Sequence, residues 1–200
     1  MSRYDHALNR KPEKEDASVR TFGFNDDVVS DFLRIRKNFP YFKLYVDEEV
    51  RISIIVEDPL CIFTGAYVHW YDRYILCNSV TGHRALCCEK LKNRIFRTAC
   101  IIVNYKTGEV MPWCFGKRVF EKLQNLNDLT PLDTYDIFVK RRGERFPIYD
   151  VGPCGETLWK SYPFVEKENI LKQVAVYQRD IKDIIGVKLS PAQIHEIIIK

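Results

Sequence analysis

Hydrophobic and polar positions alternate with a period of two through the middle of the chain. Val50 to Val56 (VRISIIV) and Cys61 to Trp70 (CIFTGAYVHW) are rich in β-branched and aromatic residues. The turn at Glu57 to Pro59 separates them, which is the pattern of strands bounded by turns. A similar run, Tyr41 to Val46, precedes both, across the acidic turn Asp47 to Glu49. Strand signals return at Ile95 to Tyr105, break at Lys106-Thr107-Gly108, and resume at Glu109 to Cys114. Thr134 to Lys140 and Phe146 to Val151, joined by Arg141-Arg142-Gly143-Glu144, read as a hairpin.

A helical period appears elsewhere. Val28, Val29, Phe32, Leu33 and Ile35 allow a short helix over 25–38, with Asn25 or Asp26 as its cap. Gly116 to Asn125 sets Val119, Phe120 and Leu123 on one face. Val165 to Ile185 spaces Ile170, Leu171, Val174, Val176, Tyr177, Ile181, Ile184 and Ile185 for an amphipathic helix that Gly186 stops. Ser190 and Pro191 then predict an N-cap and a first helical position for a last helix, Ala192 to Ile199.

These elements predict a mainly β fold with helical appendages. About five main strands with a helix before the fourth is the order of elements in an OB-type barrel. Leu76 to Asn93 keeps no alternation and carries a Thr-Gly turn, cysteines and a histidine, so it reads as an insertion. The expected organisation is a flexible arm over 1–24, an OB-fold domain over 25–155 with the insertion at 76–93, and a helical tail over 156–200.

Composition narrows the class. With 46% hydrophobic and 29% charged residues the chain can bury a core. No stretch approaches the ~20 apolar residues of a membrane span, and Met1 to Asp16 lacks the apolar centre of a secretory signal. An intracellular protein is therefore expected. The net charge of +4 is unevenly spread. Residues 61–120 hold nine Lys or Arg against three acids, +6, which leaves −2 for the remainder. A basic middle in a near-neutral chain suits a localised polyanion site.

The insertion holds candidate metal ligands. His69, Cys77, His83, Cys87 and Cys88 fall close together, and zinc takes four such thiolate and imidazole donors in a tetrahedron. Buried thiols beside a surface histidine would use the same residues. Cys61, Cys100 and Cys114 lie in or beside apolar strands and are expected in the core, whereas Cys154 is the candidate exposed thiol. A Cys154–His195 hydrolase would need the two brought together. No phosphate-cradling glycine loop and no HExxH motif is present, so no enzyme is expected.

Single strands are held by stacking bases on aromatic rings while Lys and Arg follow the phosphates. The candidates are Tyr67, Trp70, Tyr71, Arg73 and Tyr74, then Arg94, Phe96 and Arg97, then Tyr105 and Lys106. Trp113 and Lys117 follow, with Lys140, Arg141 and Arg142 in the hairpin. Alternation puts Tyr67 and His69 on one face of their strand and Val68 and Trp70 on the other. If His69 turns to a metal in the insertion, Trp70 should face inward. Arg94, Arg97 and Tyr105 are then the best placed for a groove.

Taken together, several segments resemble phage-type single-stranded DNA-binding proteins, the helix-destabilising group with a zinc-bearing OB fold. They are Phe42-Lys43-Leu44, VRISIIV, His69-Trp70, Arg73 to Cys77, Cys88-Glu89-Lys90, Ile102 to Gly108, Trp113-x-Phe115-Gly116, Thr134 to Ile137, and Leu158-Trp159 through Ser190. The resemblance implies a protein that coats and protects single-stranded DNA during phage replication, recombination and repair, in the cytoplasm of an infected bacterial host. An RNA-binding or transcription-associated phage protein using the same groove is the alternative, and an adaptor with a basic patch is a third reading. The family carries zinc on one His and three Cys, the last two as C-x-x-C. His69, Cys77 and Cys88 match, but the remaining position is Ala85, which leaves Cys87 or His83 as the fourth ligand. The family's acidic tail is replaced by helices with six basic and five acidic residues from Glu166 onward. Phage replication or recombination proteins docking there would meet an apolar or mixed face.

Metal analysis of two variants separates the ligand sets. Loss of zinc from Cys87→Ala alone assigns Cys87, loss from His83→Ala alone assigns His83, and a wild type free of zinc removes the site.

Overall fold

The computed structural model describes residues 41–56, 62–71, 73–79, 86–91, 93–144 and 147–199. The predicted arm, the helix over 25–38, Cys61 and His83 lie outside these residues. Seven strands form one antiparallel sheet: β1 (Glu49–Ile54), β2 (Thr64–Trp70), β3 (Tyr74–Leu76), β4 (Arg94–Asn104), β5 (Glu109–Gly116), β6 (Tyr135–Arg142) and β7 (Ile148–Glu156). Helix α1 (Leu86–Lys90) follows β3, α2 (Lys117–Leu129) follows β5, and α3 (Phe164–Ile185) and α4 (Pro191–Ile199) close the described chain.

Where five main strands were expected, the described residues form an open sheet of seven, ordered β3-β2-β4-β1-β6-β7 with β5 on the other edge of β4, and closure into a barrel is not shown. The reason lies in β4, which is long enough to serve three neighbours. Its first half pairs with β2 from Arg94 to Ala99 and its last residues with β1 from Ile102 to Asn104. Its second edge carries β5 from Arg97 to Asn104. The path also curls, because Ile95 to Arg97 of β4 and Ile148 and Tyr149 of β7 line one cleft.

Both faces of β4 are covered, so Thr98 to Asn104 is buried without a break. Cys100 and Ile102 join Ile52, Ile54, Trp113, Phe115 and Val139 in one core, closed by Val119 and Leu123 of α2. Ala99, Ile101 and Val103 face the opposite way, against Ile170, Val174, Ile181 and Ile185 of α3. Of the positions spaced for that helix, Leu171 and Val176 remain exposed. The cap of α4 is reciprocal: Gln193 N–H donates to Ser190 Oγ at 3.3 Å, and Ser190 N–H donates to Gln193 Oε1 at 2.9 Å.

Tyr41 to Val46 does not form the expected strand. Phe42 and Leu44 point inward and Lys43 and Tyr45 outward, as alternation requires. Phe42 N–H donates to Pro112 of β5 at 3.1 Å, but proline has no N–H to return, so no ladder forms.

A buried carboxylate joins sheet and tail. Asp136 of β6 is fully buried and accepts from Arg51 Nε at 2.7 Å, from Ser53 Oγ and from Tyr105 Oη at 3.2 Å. The Leu158 N–H donates to it at 3.3 Å, and the Trp159 N–H donates to Tyr105 Oη at 2.8 Å. Removing the carboxylate leaves the buried donors of Ser53, Tyr105 and Leu158 short of an acceptor, while Arg51, a third exposed, can turn to water. Asp136→Ala should therefore cost about 2 kcal/mol, read as a lower urea midpoint, with Asp136→Asn costing less. A midpoint unchanged in Asp136→Ala would show that the network carries no net stability.

Candidate metal centre and nucleic-acid interface

His69 sits near the end of β2, opposite Ile75 of β3 and Arg94 of β4. The Cys77 N–H donates to Tyr67 O at 2.8 Å, so the residue after β3 continues the ladder beside β2. Cys87 and Cys88 are successive in α1. Adjacent helical side chains diverge by about 100°, which argues against two neighbouring ligands. Both thiols nonetheless converge on Cys77. Cys88 Sγ lies 3.3 Å from Cys77 Sγ and 3.6 Å from His69 Nε2, and Cys87 Sγ lies 3.9 Å from Cys77 Sγ.

All four donor atoms fall within 4.8 Å of one another, with His69 and Cys87 buried and Cys77 and Cys88 partly buried. Four ligands at zinc distances of about 2.0–2.3 Å stand roughly 3.5–3.8 Å apart in a tetrahedron. The observed separations fit that figure, and the set is three thiols and an imidazole, so the cluster can hold a metal ion.

Burial raises the Cys77 thiol to about 11. Burial also opposes ionisation of Cys88, but hydrogen bonds from Cys77, Cys87 and Ser79 and the charge of Arg94 outweigh it and lower its pKa. The Asn78 N–H donates to Cys87 Sγ at 3.4 Å. Cys100 is buried in the core, as expected. Among the described residues no hydrogen bond joins Cys154 of β7 to His195 of α4.

The module depends on the far end of the chain. Leu189 and Ile194 pack with Ile75, Cys87 and Leu91 in a third core. Val187 bridges to Ile75 of β3, and Asn78 Nδ2 donates to Leu189 O at 3.1 Å. Gly186 makes the crossing possible, since a Cβ there would stand 3.1 Å from Val68 Cγ1 and 3.2 Å from Tyr74 O.

The interface candidates separate into two groups by strand alternation. Tyr67 and Phe96 are directly opposed and share the His69 face, with rings 5.3 Å apart. The Arg94 guanidinium lies 3.9 Å above the Tyr67 ring. Phe96 crosses the backbone of Gly65, where a Cβ would come within 2.5 Å of its ring. On the other face Trp70 opposes Tyr74 with rings 4.7 Å apart, and the Arg97 guanidinium lies 3.8 Å from the Tyr74 ring.

Trp70 does not turn inward as alternation had suggested. It shares the face of buried Val68 yet is 49% exposed. The face is closed over Val68, which packs in the α3 core, and open at the strand's last residue. Tyr71 is also exposed, in the turn to β3, while Arg73 is buried beside a groove of about 380 Å³ that Tyr74, Arg97 and Lys43 also line.

The remaining candidates differ in their surroundings. Trp113 is only 1% exposed, packed against Phe42 and Phe115, and offers no face to a base. Tyr105 is committed to the Asp136 network, where burial, then the charge of Asp136, raise its pKa. Lys106 pairs with Glu48, Lys140 with Glu49 at 3.7 Å, and Arg142 with Asp150 at 2.6 Å. Arg141 donates from Nη1 to Leu44 O at 2.7 Å. Lys117 is exposed in a loose i,i+4 pair with Glu121.

Lys122, which sequence reasoning missed, lines the cleft between β4, α2 and β7 with Arg97, Lys117 and Arg118. Its i,i+4 spacing from Arg118 in GKRVFEK was the available signal. Among the described residues no helix is long and apolar enough to cross a membrane. Comparison with known protein families, with characterised proteins and with solved structures gives no match.

Removing metal with a chelator should speed amide hydrogen exchange over Val187 to Ile194 while Thr98 to Asn104 stays protected. Exchange unchanged at the tail would show that it docks without the metal.

Proposed function

We propose that the chain binds single-stranded DNA through an OB-type barrel left open at one seam, coating the strand without strong sequence preference. The observation that carries this reading is the Arg97 guanidinium over Tyr74 beside exposed Trp70 on one face of the sheet, with Arg94 over Tyr67 as a second such contact on the opposite face. Stacked rings and guanidinium planes give bases a sequence-tolerant platform, and the same cations meet the phosphates. The curl that brings β7 towards β4 and β5 supports the barrel reading.

Zinc is proposed for the Cys/His cluster, held by His69, Cys77, Cys87 and Cys88. It would supply folding energy to a module with a core of few side chains. Its position beside Arg94 and Tyr67 makes it a brace for the platform. The resemblance of the sequence to phage strand-coating proteins agrees with this role, and with replication, recombination and repair as its setting.

The test uses an asymmetry among the tryptophans. Trp70 is exposed, whereas Trp113 and Trp159 are 1% and 9% exposed. Oligothymidylate should quench the fluorescence strongly, duplex DNA weakly, and salt should reverse it. Trp70→Phe should abolish the quenching signal. Arg94→Ala and Arg97→Ala should each weaken binding and reduce the salt slope by about 0.7. Tighter binding to matched RNA would favour the RNA reading, and no binding to any of them would overturn both.

A further inference from the structure

The geometry points to a second element of the same binding surface: we propose that the cleft at the open seam receives one unstacked nucleotide of the bound strand. This rests on the single-strand reading above. The cleft measures about 640 Å³, within the range of small-ligand sites. It lies where the ladder stops. β5 ends with Gly116 opposite Arg97, so among the described residues no strand pairs with that edge of β4 from Arg94 to Phe96.

Its lining suits the two halves of a nucleotide. Ile95, Phe96 and Ile148 form an apolar wall, and Ile95 and Ile148 are 39% and 54% exposed. A base would cover them. Arg97, Lys117, Arg118 and Lys122 supply cations at its margin, and among the described residues no acidic one lines it. Glu121 and Asp150 hold Lys117 and Lys122 at 3.4 and 3.6 Å on exposed or partly exposed side chains, and Lys122 Nζ also donates to Tyr149 O at 2.8 Å. Such pairs contribute little and can yield to a phosphate.

Arg97 joins the two regions. It lies on Tyr74 in the platform and also lines the cleft. A strand whose bases stack near Trp70 and Tyr74 can therefore turn one nucleotide past Arg97 and into the seam. Duplex DNA cannot do so without breaking a base pair, so the cleft adds to discrimination against paired strands.

The test compares a fluorescent oligothymidylate with an abasic oligomer of the same length and charge, in wild type, Ile148→Ala, Arg118→Gln and Trp70→Ala. Wild type should prefer the base-bearing oligomer. Ile148→Ala should weaken oligothymidylate about tenfold and leave the abasic oligomer unchanged. Arg118→Gln should weaken both. Photocross-linking with an oligomer containing 4-thiothymidine should place adducts at Ile95 to Arg97 or Pro147 to Tyr149 as well as near Trp70. Equal weakening of both oligomers by Ile148→Ala, or adducts confined to the Trp70 region, would overturn the cleft and leave the platform standing. Equal binding of polyglutamate would assign the cleft to an acidic protein partner instead. Wild type that binds no oligomer would remove the single-strand reading itself.

Discussion

The Asp136 carboxylate is the constraint on which the arrangement of the molecule depends. It lies in the sheet, but its partners come from β1, from the residue after β4, and from the segment leading into α3. A buried ion of this kind is costly unless every lone pair is met, so its partners cannot shift independently. Register between β1 and β6 and the launch of α3 are thereby coupled. Because α3 forms one of the two cores around β4, the carboxylate sits where the sheet and the helix that covers one of its faces are joined.

β4 converts that constraint into an architecture. Its inward residues alternate between two cores, which a strand covered on one face could not do. The sequence carried this as an unbroken apolar run, Ala99 to Val103, and a run of that kind signals a strand buried on both sides. What the run does not encode is how many neighbours share its edges. That depends on lengths and on where a partner ends, such as the stop of β5 at Gly116. The seven strands and the open path were for this reason not legible, although the individual strand and helix segments largely were. Tyr41 to Val46 shows the opposite failure. Its alternation was genuine, but a single proline across from it denied the ladder.

The candidate site was legible in kind and less so in arrangement. Composition isolated the Cys/His group and the basic aromatic stretch, because those residue types are scarce and clustered. Side-chain direction was harder. Tyr67 and Trp70 both reach solvent from opposite faces, a result that depends on how far helix cover extends. Trp113 and Tyr105 match the platform chemically, yet one fills a core and the other serves a buried carboxylate. The docking of Leu189 and Ile194 beside Cys87 links residues about a hundred positions apart, and nothing in local pattern signals such a contact.

Under the proposed function, binding and incompleteness coincide in this fold. A sheet whose edges are all paired offers a strand only side-chain faces, whereas an open seam also offers depth. Here the seam is bounded by cations from β4 and α2 and by the exposed wall of β7. The Cys/His cluster stands on the other face of β4, opposite in direction but only residues away along the strand, through Arg94. Cross-linking that end by a metal would keep β2 and β3 from folding back over the free edge of β4. The cluster and the cleft then share one arrangement: β4 extends beyond β5, with a Cys/His group that a metal would brace at one side of the extension and a free edge at the other.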